Sequence, residues 1–400
     1  MMKKRILVLT PRYPYPVIGG DRLRIFQICK ALSSHYSLTL LSLCETPQEL
    51  DMPMPEDGVF SRIERIYLPK WRSWLNCLLA LPSSRPLQVA YYNHAGFRRK
   101  VQELMPSHDA TIAHLIRTAD YIRNTPGIKF LEMTDAISLN YDRVRHSKGV
   151  SKDWRTVVYK MEVDRLRKFE ENIVDKFDLS FLVSDIDRQY LFSNRADRLA
   201  LVQVVSNGVD LESFPFKFTP GGRDIVFIGA MTTLQNFDAA LYMASEVLPI
   251  ILEQQPDVVL RLIGRITPEK AEELSAFPGV RVSGEVPVVS LAAQGGAVGV
   301  CPLRLGAGVQ NKVLEYMALG LPTVTTSLGL EGFEAKPDFH LFVADDARNF
   351  AQKVLYLISN REDAEKMALR ARSYVENCHS WRSMLTPALL SIDRRITEFE

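Results

Sequence analysis

The sequence predicts an α/β protein built from two Rossmann-like, doubly wound domains, on three observations. Short β-branched and leucine-rich runs alternate with longer amphipathic segments along the chain, the signature of βαβ units and parallel sheets. That alternation breaks once, at residues 206–224, SNGVDLESFPFKFTPGGRD, which is rich in Gly, Pro and Asn and has neither period. Four hundred residues, 46% of them hydrophobic, also exceed what one core usually supports.

The first half reads as a strand from Ile6 to Thr10, a helix near Arg22 to Ser33 and a strand from Leu38 to Leu43. Further strands are predicted at Ile63 to Leu68, Ala110 to His114, Lys129 to Met133, Leu179 to Val183 and Val202 to Val205, with a long helix from about Asp153 to Asp175. The second half repeats the alternation. Strands are predicted at Ile225 to Ile228, Val258 to Ile263, Val280 to Ser283, Ala297 to Cys301 and Thr323 to Thr326, with helices at Phe237 to Gln254, Pro268 to Ala276 and Val309 to Leu319. From Ala347 on the chain reads as wholly helical. The expected domains are residues 1–206 and 207–381, with a last helix, about 382–400, long enough to pack back on the first domain.

Composition narrows the function. The 49 basic and 47 acidic residues leave a formal charge of +2, which argues against a polyanion-coating protein and against nucleic acid as a partner. The five cysteines are odd in number and widely spaced, as expected of reduced cytoplasmic thiols. The apolar run Ile6 to Leu9 is too brief for a signal-peptide core. No stretch approaches the roughly 18 apolar residues a membrane span needs.

The most informative segment is PLRLGAGVQNKVLEYMALGLPTVTT, residues 302–326. A glycine-rich loop at Gly306 and Gly308 precedes a helix, so unpaired amides and the positive end of the helix dipole are offered to an anion beyond the strand ends. Lys312, in the first turn, and Glu315, three residues later on the same face, suit an ammonium on phosphate oxygens beside a carboxylate accepting ribose hydroxyls. An isolated Lys and Glu would sooner be a solvated helix pair, but the 25-residue pattern as a whole favours a diphosphate site.

This segment resembles the donor-site helix of GT-B glycosyltransferases of family 4, retaining enzymes that use nucleotide sugars. ValSerAsnGlyValAsp, 205–210, resembles the family's interdomain signature, and ProArgTyrProTyrProValIleGlyGlyAspArgLeuArg, 11–24, its N-terminal Gly-Gly loop. The similarity extends over nearly the entire chain and looks closest to a bacterial branch associated with exopolysaccharide and exosortase systems. It implies two domains facing each other across a cleft, a UDP- or GDP-sugar co-substrate with no further cofactor and no metal, and a glycan or lipid-linked saccharide as acceptor. Glu315 corresponds to the second Glu of the family's E-x7-E motif. Ala307 stands where the first belongs, and the usual Arg and Lys pair after the domain's first strand is missing, Gly229 being followed by AlaMetThrThrLeuGlnAsn. Lys312, with Arg304 or Arg265, is the expected replacement for neutralising the diphosphate. Gly229 and Asn236 join the donor set, as do Gly19 and Gly20, although a tight turn would also explain the Gly-Gly pair.

In the first domain Asp135 falls near the family's catalytic-loop histidine, where a carboxylate either orients or deprotonates an acceptor hydroxyl or simply caps a helix. Arg24, His114 and Ser138 are placed on the acceptor side, His114 being equally readable as a structural histidine. Glu162 lies on the apolar stripe of the long helix formed by Val158, Leu166, Phe169 and Ile173, and so needs a partner. Arg22, Arg24 or, more simply, Arg165 can supply it. Trp71, Trp74, Leu75, Leu78 and Leu79, near Arg85, Arg98, Arg99 and Lys100, mix residue types as interfacial segments do, although core packing plus a solvated basic face explains each piece. A cytoplasmic enzyme resting on the inner membrane would suit a lipid-linked acceptor.

The expected activity is retaining transfer of a sugar to a growing saccharide in polysaccharide biosynthesis. Its rivals are a nucleotide-sugar epimerase and a catalytically silent sugar-nucleotide-binding subunit. A Rossmann dehydrogenase fits worst, since no G-x-G-x-x-G follows a predicted strand.

Overall fold

The computed structural model describes residues 3–17, 19–146, 154–306 and 309–398. The chain divides into two compact units, one formed by the described residues of 3–205 with 385–398, the other by 206–384.

The first unit carries seven parallel strands: β1 Arg5–Thr10, β2 Ser37–Cys44, β3 Arg62–Tyr67, β4 Ala110–His114, β5 Ile128–Thr134, β6 Leu179–Leu182 and β7 Val202–Val204. They are ordered β3-β2-β1-β4-β5-β6-β7. The second unit holds β8 Ile225–Ile228, β9 Leu260–Ile263, β10 Val280–Gly284, β11 Val298–Cys301, β12 Thr323–Thr325 and β13 Phe342–Val343. Their order is β10-β9-β8-β11-β12-β13, again all parallel. Central strands are buried along almost their whole length, because the crossover helices cover both faces of each sheet. Both orders reverse direction once, between β1 and β4 and between β8 and β11. There the connections leave toward opposite sides and open a crevice beyond the strand ends, the usual ligand position in such sheets.

The predicted strands lie within about two residues of their predicted bounds; β13, only two residues long, is an addition. The predicted helix from Phe237 to Gln254 is three pieces, Leu234–Tyr242, a wide turn Met243–Val247 and Leu248–Gln254. Pro249 sits at the start of the last piece, and a proline ring that lacks an N–H and crowds the preceding turn favours such widening. The predicted helical end is three helices, Ala347–Ser359, Arg361–Cys378 and Trp381–Glu398. All five cysteines are free. Among the described residues no helix is long and apolar enough to cross a membrane.

Candidate donor and acceptor sites

In the second unit the crevice between β8 and β11 is bordered by Gly229, just past β8, and by the loop from Pro302 that leads into the helix Asn311–Leu319. That helix is anchored to both strands. The Tyr316 hydroxyl donates to the Val300 carbonyl at 3.1 Å and accepts from the Ile228 amide at 2.7 Å. Its ring lies so close to β11 that a Cβ on Gly299 would come within 2.5 Å of it. At the helix start the Gln310 side chain makes no capping hydrogen bond to the first-turn amides, and the positive end of the helix dipole lies there.

Lys312 is buried, with its ammonium 2.5 Å from Asn236 Oδ1 and 4.7 Å above the centre of the Phe227 ring. Asn236 is held in turn by donating 3.3 Å to the Ala230 carbonyl. Burial pushes the Lys312 ammonium down, and Cys301 and Glu315 oppose that. Of its three donors one is used among the described residues, so the remainder can meet phosphate oxygens. Glu315 keeps part of its surface, yet among the described residues it makes no hydrogen bond or ion pair. Burial pushes its carboxyl up to about 7, against the pull of Lys312. A buried ammonium with spare donors next to a carboxylate that bonds no described residue, at a helix start, is a polar surface suited to a ligand that carries both anionic oxygens and hydroxyls.

The surrounding loops are fixed by backbone contacts. Gly264, past β9, has φ +135, and a Cβ there would stand 2.2 Å from the Gly229 carbonyl oxygen, so these two loops approach as only glycine allows. Thr325 and Thr326 donate to the carbonyls of Cys301 and Leu303 at 3.1 and 2.6 Å, pinning the loop after β11. Asn207 donates 2.8 Å to the Asn311 side chain at the helix start, and the Val209 amide donates 2.8 Å to the His379 carbonyl. The NGVD segment therefore braces the helix and residues 379–381.

Arg304 and Arg265 stand differently from the expectation that they help Lys312 with the diphosphate. Arg304 is committed to Asp238 at 2.9 Å and Glu246 at 3.3 Å and stacks over Tyr242, so its charge is already compensated. Arg265 is half-exposed, with Glu285 at 3.7 Å. Gly306 has φ +132. Gly308 and Ala307 lie outside the described residues.

In the first unit β1 runs into the loop holding Gly19, whose φ of +98 requires glycine and whose carbonyl accepts the Leu23 amide at the start of the helix Gly20–Ser33. Arg24 of this helix is not a surface residue, as an acceptor contact would need. It is fully buried, 2.6 Å from Glu132 of β5, which also binds His114 Nδ1 at 2.9 Å. Burial pushes Glu132 up, but Arg24 and His114 outweigh it and hold the carboxyl down at about 2. Ser138 is likewise interior, bonded through both its amide and its hydroxyl to Glu170. Arg24, His114 and Ser138 thus support the floor of the crevice instead of lining it.

What they support is the turn after β5. Leu115 and Thr134, directly after β4 and at the end of β5, have φ of +62 and +64, which is costly for residues with a Cβ. Glu132 accepts from the Thr134 amide and hydroxyl, Asp187 from the Ala136 amide, and Glu170 from the Ile137 amide. Asp135 sits among these three carboxylates, partly exposed and without a hydrogen bond to any described residue. Burial and then Asp187 push its carboxyl well above the usual range, with Arg24 opposing. The ionised form of Asp135 is therefore disfavoured where it sits. Glu132, Glu170 and Asp187 were not singled out from the sequence. Ser184-Asp185-Ile186-Asp187 is a readable capping box, and a glutamate inside the apolar run of β5 is a readable anomaly. Glu162 pairs with Arg165 at 2.7 Å, the simpler of its expected partners, while Arg22 goes to Glu49.

Residues 222–360 match the family model described as glycosyl transferases, group 1. Over 93% of this chain, and 95% of its own length, a 44.6 kDa protein of the cps region of Klebsiella pneumoniae is 22% identical. Among solved structures, sucrose-phosphate synthase from Thermosynechococcus elongatus superposes with a TM-score of 0.73 at 15% identity, covering 99% of both chains. Anabaena HepE, in complex with UDP and glucose, superposes with a TM-score of 0.67 at 12% identity, covering 98% of this chain and all of its own. The architecture is the GT-B fold, and with the group 1 match it supports a nucleotide-sugar glycosyltransferase.

Proposed function

We propose that the protein is a retaining glycosyltransferase of family 4 that moves a hexosyl group from a UDP- or GDP-sugar to a glycan or lipid-linked saccharide in bacterial polysaccharide biosynthesis. The observation that carries this is the pairing of Lys312 and Glu315: a buried ammonium with spare donors beside a carboxylate that makes no hydrogen bond to a described residue, at the crevice of a domain that matches group 1 glycosyltransferases. Lys312 and the amides at the start of its helix would take the diphosphate and Glu315 the ribose hydroxyls. As the bond from the anomeric carbon to the diphosphate breaks, negative charge grows on the leaving oxygen where ammonium and helix dipole already stand, which is electrostatic catalysis by prearranged groups. The acceptor hydroxyl would attack from the face the diphosphate leaves, passing its proton to the departing phosphate. This chemistry needs no metal and no cofactor beyond the donor.

On the first unit Asp135 would orient the acceptor. Burial disfavours its ionised form, so a hydrogen bond to an acceptor hydroxyl is the contact it would supply. The relatives accord with the substrate class: HepE was solved with UDP and glucose, and the Klebsiella relative comes from a cps region.

The test is a thermal-shift panel of UDP-, GDP- and dTDP-sugars followed by detection of the released nucleoside diphosphate in the presence of saccharide acceptors. A donor at 100 times its dissociation constant stabilises by about 2.7 kcal/mol. Stabilisation with no turnover under any acceptor would favour the silent subunit, and no stabilisation by any member would refute a donor site.

A further inference from the structure

We propose that the helix Lys70–Ala80 and the arginine-lined cavity beside it form a docking surface for an anionic lipid bilayer. The helix is packed inside out. Ser73 and Ala80 are its buried residues, whereas Trp71, Trp74, Leu75, Leu78 and Leu79 are between 45% and 70% exposed. Those five positions follow the i, i+3, i+4, i+7, i+8 spacing of a single face, so the apolar stripe that normally seals a helix to its core here faces outward. Leu81 extends it. Scattered exposed leucines need no explanation, but one complete face with two tryptophans does.

Charge identifies the occupant. Between Glu64 and Glu103 the chain holds no acidic residue and seven basic ones, in a protein whose net charge is only +2. A cavity of 340 Å³ opens beside the helix, lined by Arg72, Asn76, Asn93, Arg98, Arg99 and Gln102, with no carboxylate among its walls. Arg99 is exposed and makes no hydrogen bond or ion pair with any described residue. Among the described residues the Arg72 side chain bonds His94 alone, at 3.4 Å. Arg98 faces Asp120 at 3.8 Å, which leaves the guanidinium groups of Arg72 and Arg99, with amide donors around them, for a phosphodiester headgroup, since the planar fork of arginine binds phosphate oxygens in pairs. Tryptophan and leucine on the adjacent face suit the boundary between headgroups and acyl chains. An apolar protein partner would leave the arginines desolvated without counter-charge, and a free polyanion would leave the tryptophan face in water. A bilayer containing anionic lipid satisfies both. The surface shares no residue with the donor site, so it adds a place of work to the proposed activity without depending on it.

The experiment is co-sedimentation of the full chain with vesicles of phosphatidylcholine alone and of an equimolar mixture with phosphatidylglycerol. Binding to the mixed vesicles alone, weakened by salt, is expected. Leu78→Asp with Leu79→Asp should abolish it. Arg72→Gln with Arg99→Gln should weaken partitioning about fivefold per removed cation. Leu291→Asp, an exposed apolar site in the second unit, should leave it unchanged. Far-ultraviolet circular dichroism checks that every variant is folded. Equal binding to both vesicle types, wild-type binding by the variants, or no binding by the wild type would overturn the proposal. So would a concentration-dependent dimer in solution that the two leucine substitutions dissolve without any vesicle binding, which would give this face to a second copy.

Discussion

At the scale of single residues, the crevice of the second unit holds a carboxylate in an unfavourable place. Burial raises Glu315 above its ordinary 4.5 to about 7, so ionising it costs the free protein stability. The contribution is intact below about 4.5 and is lost as pH rises through about 7. Glu315→Gln should therefore raise the melting temperature at pH 8 and give no advantage at pH 4, while weakening nucleotide binding about tenfold through lost hydrogen bonds to hydroxyls. A melting temperature unchanged at both pH values would show the carboxylate to be solvated. Lys312→Ala, in contrast, should weaken binding of a nucleoside diphosphate by about 1.5–3 kcal/mol, the range for a charged hydrogen bond, readable by calorimetry. Arg24 is a different kind of residue. Replacing it with methionine takes from buried Glu132 its arginine counter-charge, leaving His114 and Thr134 as partners, and should cost about 3–5 kcal/mol in urea denaturation. Of these residues the sequence pointed to Lys312 and Glu315 through local spacing, because both stand on one helix. The pairing of Arg24 with Glu132 spans 108 positions, and no local pattern encodes it.

At the scale of elements, legibility follows how locally each one is determined. Strands such as β1, β8 and β11 are buried on both faces, so each is a continuous apolar run that is hard to mistake. The break at Met243–Val247 depends on how one turn accommodates Pro249, and β13 is two residues held by pairing with β12. Neither leaves a periodic signal. The turn after β5 was legible as a loop carrying Asp135, yet the carboxylates that fix it come from three separate elements. Its neighbour in function, the contact between the loops after β8 and β9, has a sharp steric test. Gly264→Ala sets a methyl 2.2 Å from the Gly229 carbonyl and at an unfavourable φ. The loops must part, at a cost of about 1–3 kcal/mol. Because Gly229 and Asn236 hold the Lys312 side, donor affinity should fall along with stability. A variant that lost stability but kept affinity would separate this contact from the site.

For the whole molecule, two sheets that share one order over six strands, the first with a seventh strand added, and each with one reversal, give two crevices of the kind that bind ligands. They are furnished differently. The second unit offers a cation, a helix start and a carboxylate that bonds no described residue, and the first offers Asp135, whose ionised form is disfavoured, over a hydrogen-bonded carboxylate floor. That asymmetry is what a donor with a diphosphate and an acceptor with only hydroxyls would require. The repeated alternation of the sequence made both sheets readable, but which crevice held which chemistry rested on the segment 302–326 and its resemblance, since charge and burial at Asp135 arise only from packing. The most direct test of the account is calorimetric titration of UDP and GDP into the wild-type chain, Lys312→Ala and Glu315→Gln at pH 8. One of the two nucleotides should bind the wild type, and both variants should bind it at least tenfold more weakly while remaining folded. Wild-type affinity in both folded variants, or no binding by the wild type, would contradict it.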